Sequence, residues 1–169
     1  HGVISATEDK FSKTVVDLIK TSKRNDIFPV GRLDKDTEGL LILTNDGQLA
    51  HQLLSPKKQI SKVYYAKIEG RVTKEDIITF KEGVVLSDGY ETMPADLTIL
   101  KSSEQSEIEL TIYEGKFHQV KRMFEAVGKQ VTYLKRLSMG PIQLDERLEL
   151  GQYRPLTQEE INLLKNVGT

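Results

Sequence analysis

No cysteine occurs in the 169-residue chain, so disulfides and thiolate chemistry are excluded. Redox usage therefore says nothing about the compartment, for which cytoplasm is the default. Histidine is scarce: His1, His51 and His118 are the only three, none at paired spacing, and they offer no transition-metal site. Asp34, Asp36 and Glu38 alternate, but the glycine and distal bidentate glutamate of a calcium loop are missing. No metal is expected. A Gly-rich phosphate loop and a Gly-x-Ser-x-Gly nucleophile elbow are also absent. No apolar run approaches the roughly 20 residues needed to span a bilayer, and the longest candidate, Gly39–Leu43, is strand-sized. No basic start followed by an apolar middle marks a signal peptide. A membrane partner is not expected.

What is there is an ordinary globular composition, 38% hydrophobic and 29% charged, long enough for one large domain or two closely packed lobes. A lobe boundary is placed near Gly70–Lys74, although composition does not shift there. The net charge of −1 hides an uneven distribution. Lys57, Lys58, Lys62, Lys67, Arg71 and Lys74 form one basic block, and Lys116, Lys121, Arg122, Lys129, Lys135 and Arg136 a second, while acids gather elsewhere, as at Asp145, Glu146 and Glu149. A near-neutral chain of this kind can still present a basic face to a phosphate backbone. The same lysines also read as solvated surface charge.

Periodicity sketches the elements. His1–Ile4 is strand-like and Val15–Ile19 a short helix. Leu40–Leu43 reads as a buried strand, and Leu49, Leu53 and Leu54 repeat at helical spacing, with His51 at the surface or boundary of that helix. Lys62–Glu69 alternates, with Tyr64, Ala66 and Ile68 on one face. Thr73 caps a helix that runs to about Lys81 and stops at Gly83. Leu97–Leu100 and Ile108–Ile112 are further strands, the latter turning Ile108, Leu110 and Ile112 inward. A helix from about His118 to Val127 carries the stripe Val120, Met123, Phe124, Val127, and Thr157 opens a last helix with Glu160 completing a capping box. Strands interspersed with short helices predict an α+β domain, a largely antiparallel mixed sheet with short flanking helices.

The loop Gly31–Gly39 is the best candidate for a site. It holds Arg32, Lys35, Asp34, Asp36 and Glu38 between apolar Val30 and Leu40, so it is anchored to the core at both ends. A charged turn without function is the plain alternative. The stretch Gly31-Arg32-Leu33-Asp34-Lys35-Asp36-Thr37-Glu38-Gly39-Leu40-Leu41 resembles the signature loop of the RNA pseudouridine synthases. Lys62-Val63-Tyr64 is similar to that family's Lys-x-Tyr strand, and Glu114-Gly115-Lys116-Phe117-His118-Gln119-Val120-Lys121-Arg122-Met123-Phe124 to its third motif. The third motif and the closing Gly151–Thr157 resemble the enzymes of the small ribosomal subunit, the RsuA type.

The resemblance implies the pseudouridine synthase catalytic fold and an isomerisation of uridine to pseudouridine in small-subunit (16S) ribosomal RNA. No cofactor is required. It makes Asp34 the nucleophile, Tyr64 the residue that stacks on the base or moves a proton, and Lys121 the ion-pair partner of Asp34. Many relatives carry Arg at that last place, so bidentate pairing gives way to a point charge. Arg32, Lys62, Lys116, His118, Gln119 and Arg122 are expected to hold the RNA. Relatives of this type carry an S4-type RNA-binding domain ahead of the catalytic one; this chain opens at His1 without it and is expected to be a fragment spanning 1–169, acting as a monomer. Three rivals stand beside this reading: a noncatalytic RNA-binding module of the same fold, a synthase acting on the large subunit, and a hydrolase pairing Asp34 with Asp36 or Glu38. The last is geometrically poor, its carboxylates all belonging to one short loop.

Overall fold

A computed structural model describes residues 1–3, 5, 14–18 and 26–167. In chain order its elements are a 3-10 turn (Val16–Leu18), β1 (Phe28–Pro29), β2 (Glu38–Gly39), β3 (Leu43–Thr44), α1 (Gly47–Leu54), a second 3-10 turn (Pro56–Lys58), β4 (Lys62–Glu69), α2 (Lys74–Glu82), β5 (Asp96–Lys101), β6 (Gln105–Ile112), α3 (Gln119–Ala126), β7 (Gln130–Met139), β8 (Ile142–Gln143) and α4 (Gln158–Lys165). They divide into two compact units, His1–Ile60 with Met139–Thr169, and Ser61–Ser138. The division therefore does not fall near Gly70–Lys74. Those residues are sewn into the second unit: the Ser106 hydroxyl donates to the Gly70 carbonyl at 2.8 Å and accepts the Val72 N–H at 3.1 Å, and Val72 is fully buried.

In the second unit the strands run in the order β7-β4-β6-β5. β4 and β6 are antiparallel, with Lys62 opposite Ile112 and Tyr64 opposite Leu110. The predicted alternation holds on both strands: Tyr64, Ala66 and Ile68, and Ile108, Leu110 and Ile112, are buried in one core. β5 pairs antiparallel with β6 until a bulge between Ile99 and Lys101. Helices α2 and α3 complete that core through Phe80 and Phe124, whose rings meet edge to face at 5.0 Å. α2 starts where expected, the Asp76 carboxylate accepting the Thr73 N–H at 3.1 Å while Lys129 neutralises it from 3.1 Å. It ends at Gly83, whose φ of +100° and the Thr92 carbonyl, 2.6 Å from where a Cβ would stand, leave room only for glycine.

β7 is a ten-residue strand that periodicity did not predict. Its inward positions include Leu134 and Arg136, and a charged residue at an inward place hides the alternation.

The first unit is built from shorter pieces. β1 pairs with β3, Phe28 opposite Thr44 and Pro29 opposite Leu43. The strand expected over Leu40–Leu43 is not formed as one piece: only Leu43 belongs to β3, while Ile42 is buried and its carbonyl accepts the Val30 N–H at 2.7 Å. His1–Val3 is not a strand, and Ile4 and Ile19 lie outside the described residues; Val16–Leu18 makes a single 3-10 turn. Asp46 caps α1 by accepting the Leu49 N–H at 3.0 Å, and α1 buries Ala50 and Leu53 against Val30, Ile42, Met139, Ile142 and Leu164, leaving His51 exposed. The capping box of α4 closes as predicted, Glu160 N–H to the Thr157 hydroxyl at 3.1 Å and Thr157 N–H to the Glu160 carboxylate at 2.9 Å. Arg154 adds a fork of 2.8 and 3.0 Å onto the same carboxylate.

Candidate active site

The Gly31–Gly39 loop belongs to the first unit. Val30 before it is fully buried and Leu40 after it packs on the same core, so both ends are anchored as the sequence implied. Between them the backbone is tied down. The Ser5 hydroxyl accepts the Leu33 N–H at 3.0 Å and donates to the Leu33 carbonyl at 3.2 Å. The Lys35 carbonyl accepts the Gly2 N–H at 2.6 Å, and the Asp34 carbonyl accepts the Thr37 N–H at 2.8 Å, closing a turn. That turn carries Thr37 inward to 4% exposure. Asp34 is half-buried, Lys35 and Asp36 are exposed, Glu38 is half-buried and Arg32 is exposed. Asp34 and Asp36 thus sit in different environments two residues apart.

Tyr64, Lys62, Lys121 and the remaining site candidates belong to the second unit. Tyr64 points into the core at 9% exposure. Lys62, two residues earlier on the same face, is half-buried with its Nζ 3.5 Å from the Glu114 carbonyl. Burial first, and the Arg136 guanidinium second, push its ammonium below the usual lysine range, with Glu114 opposing them. Lys121 is half-buried on α3.

The third motif is organised by a residue that sequence reasoning did not single out. Glu114 is buried, and its carboxylate accepts the Tyr90 hydroxyl, the Met93 N–H at 2.7 Å and the Gln119 amide at 3.0 Å. The bond to Glu114 holds the Tyr90 hydroxyl protonated, its pKa pushed up to about 12. A lone acid at the head of a polar motif gives no hint of burial; only its partners do. Arg136, at 2% exposure on β7, was likewise counted only as part of a basic block.

This hub changes the RNA-binding expectation. Gln119 is 4% exposed, with its carbonyl oxygen accepting the Lys116 N–H at 3.1 Å and its amide committed to Glu114. Both ends of its side chain serve the loop, and its burial withdraws Gln119 from the surface. Arg122 is engaged within the protein at the surface, 2.7 Å from the exposed Asp88 and 3.0 Å from the Phe117 carbonyl it donates to. Lys116 stays exposed, its ammonium 4.7 Å above the Tyr90 ring, and His118 is half-buried. Among the described residues no group of three or more acids and histidines could hold a metal ion, and no helix is long and apolar enough to cross a membrane.

Comparison with known proteins adds an independent line. The family model described as RNA pseudouridylate synthase matches residues 1–126. An uncharacterized RNA pseudouridine synthase of Bacillus subtilis is 54% identical over 97% of this chain and 70% of its own length. A ribosomal small subunit pseudouridine synthase A of Vibrio vulnificus is 43% identical over 96% of this chain and 70% of its own. A ribosomal large subunit pseudouridine synthase B of Bacillus subtilis is 44% identical, with 98% and 68% covered. A crystal structure of a pseudouridylate synthase superposes with a TM-score of 0.90 at 39% identity, over 97% of this chain and 70% of that one. The α+β architecture matches that structure's.

Proposed function

Because the chain belongs to the RNA pseudouridylate synthase family, we propose that it converts a specific uridine of small-subunit ribosomal RNA into pseudouridine, with Asp34 as the nucleophile. An RNA pseudouridine synthase is an isomerase. The bond between uracil N1 and the ribose C1′ breaks, the base turns, a bond from C5 to C1′ forms, and the proton leaving C5 is balanced by one gained at N1. Atoms are conserved and no electrons are exchanged with another molecule.

The observation that carries the assignment of Asp34 is how its loop is held. Backbone hydrogen bonds at Leu33, Asp34 and Lys35 fix the turn that carries the Asp34 carboxylate. The side chain is half-buried while Asp36 is exposed. A fixed, partly desolvated carboxylate suits covalent catalysis, in which one hard step becomes two easier ones. Lys121 is assigned as its cationic partner from the form of the third motif. Tyr64 is assigned from the Lys-x-Tyr motif to the reacting uridine, through its ring on the base or its hydroxyl in the late proton transfer. A uridine in a helix must leave its stack to be reached, at a cost of a few kcal/mol. The exposed Arg32 of the first unit and Lys116 of the second are cations to recover part of that cost at phosphates, with His118 two residues from Lys116 in the chain.

Small-subunit RNA is favoured by the form of the third motif and of Gly151–Thr157, since identity by itself does not discriminate: 43% to the small-subunit enzyme and 44% to the large-subunit one. The latter figure keeps a large-subunit target as the second reading. Mass spectrometry of both ribosomal RNAs from a deletion strain, after cyanoethylation of pseudouridine, separates them. One pseudouridine lost from the small subunit is the expected result. A loss confined to the large subunit selects the second reading, and no loss from either removes ribosomal RNA as the target.

A further inference from the structure

Within the third motif, Phe117 stands apart from its neighbours. The side chains of Glu114 and Gln119 are committed inward, and that of Arg122 to Asp88 and the Phe117 carbonyl. Phe117 is 73% exposed, more than any other large apolar side chain among the described residues. Its ring lies flat on the His118 imidazole, with centroids 3.7 Å apart and planes at 20°. His118 occupies the left-handed region at φ +50°, ψ +36°, a conformation that residues with a Cβ adopt at a cost. The backbone beneath is braced, because Arg122 donates to the Phe117 carbonyl at 3.0 Å while gripping Asp88 at 2.7 Å. Beside the pair is the exposed Lys116.

An exposed ring, stiffened from behind by a second flat ring and flanked by a cation, is the chemistry that takes an unpaired nucleobase: any base offers a π-face, and the cation takes the adjoining phosphate. We propose that Phe117, backed by His118, is a stacking platform for an unpaired base of the RNA other than the uridine that is isomerised. The Tyr64 ring is buried at 9% exposure and is assigned to the reacting uridine; Phe117 faces solvent, where a neighbouring base that the enzyme never alters can reach it. This rests on the RNA-modifying reading given above, but it is read out by binding and not by product.

The chain has no tryptophan, so Phe117→Trp introduces a single indole whose emission reports directly on stacking. Protein-free transcripts of small- and large-subunit ribosomal RNA are the probes, with a fully paired RNA duplex as the contrast. The expected result is quenching of the F117W emission by a ribosomal transcript at concentrations that saturate a filter-binding assay, and none by the duplex. Phe117→Ala should weaken transcript binding ~5- to 100-fold, the range of one lost base–aromatic stack. F117W should restore it, Phe117→Leu should not, and the Ala variant should raise KM more than it lowers kcat. All three variants should melt with the parent protein, since the side chain is exposed. Binding by the Ala variant within about twofold of the parent, or emission unchanged at saturation, would overturn the proposal. A parent protein that binds, and quenches as F117W, yet forms no pseudouridine would sink the enzymatic reading and leave the platform standing.

Discussion

The Gly31–Gly39 loop and the Glu114–Phe124 segment are both rich in charge, yet the first is fastened through its backbone and the second through its side chains. In the loop, Ser5 and Gly2 bind main-chain atoms of Leu33 and Lys35, and apolar Val30 and Leu40 anchor the ends. In the second segment Glu114 gathers Tyr90, Met93 and Gln119, and Arg122 binds Asp88, so much of the polar inventory is consumed in holding the shape. A motif rich in polar residues is therefore a poor guide to how many of them touch a substrate. Buried groups must first satisfy one another, since leaving them unpaired costs about 1–3 kcal/mol each.

The largest effect expected is on the loop side. Asp34→Asn should lower pseudouridine formation at least ~1000-fold, because the amide is isosteric and a poor nucleophile. Asp36→Asn should retain most of the activity, and both should keep the parent Tm. Equal losses, measured by mass spectrometry of the product, would erase the distinction drawn between the two carboxylates.

On the other side the large effect should be on stability. Glu114→Ala strips the acceptor from three donors and should cost about 3 kcal/mol in urea unfolding. Lys35→Ala, in the exposed part of the first loop, should stay within about 0.5 kcal/mol. If the two cost the same, the contrast between backbone and side-chain fastening is wrong.

A smaller pair of effects tests which residues are free to meet RNA. Gln119→Ala should cost about 1–2 kcal/mol of stability and leave the salt dependence of RNA binding unaltered. Lys116→Ala should leave stability alone and reduce the salt slope by roughly 0.7–0.9, the share of one phosphate. The reverse outcome would return Gln119 to the RNA surface.

Least in size is a pH effect at α4, where the first unit does use side chains. The Arg154 fork and the Thr157 N–H hold the Glu160 carboxyl well down, from 4.5 to about 2. The folded state thus binds this proton less readily than the unfolded one. Its contribution is complete above about pH 4.5 and is lost as pH falls through about 2. The carboxylate keeps contact with water, so the contribution should not exceed about 1 kcal/mol. Glu160→Gln should flatten the stability curve across that window and leave it unchanged in shape near neutrality; an unaltered acid limb in calorimetry would count against the pairing.

Much of this architecture is legible in the sequence where one physical signal acts alone. Lys62–Glu69 alternates because one face meets the core and the other water, and the strand spans those residues. Val120, Met123 and Phe124 recur at helical spacing and are buried on α3. Signals fail where a polar residue turns inward. Arg136 is buried on β7, so a ten-residue strand reads as irregular. Thr37 is buried by the turn that its own N–H closes on Asp34. Leu40–Leu43 looks like one apolar strand, yet Ile42 spends its carbonyl on Val30 and only Leu43 enters a ladder.

By itself the sequence determined the α+β class, the buried faces of β4, β6 and α3, the caps of α2 and α4, and the three motifs of an RNA pseudouridine synthase. These are local matters: a period, a cap or a short pattern is complete within a dozen neighbours. Only the tertiary structure decided that Glu114 is a hub, that Gln119 and Arg122 serve the fold, and that the units part at 60/61 and 138/139 instead of near Gly70. The reason is that a polar side chain looks the same in sequence whether it faces water or a buried partner. Which it faces depends on donors and acceptors brought from 21 and 24 positions away, as Met93 and Tyr90 are to Glu114, and those meet only once the chain has folded.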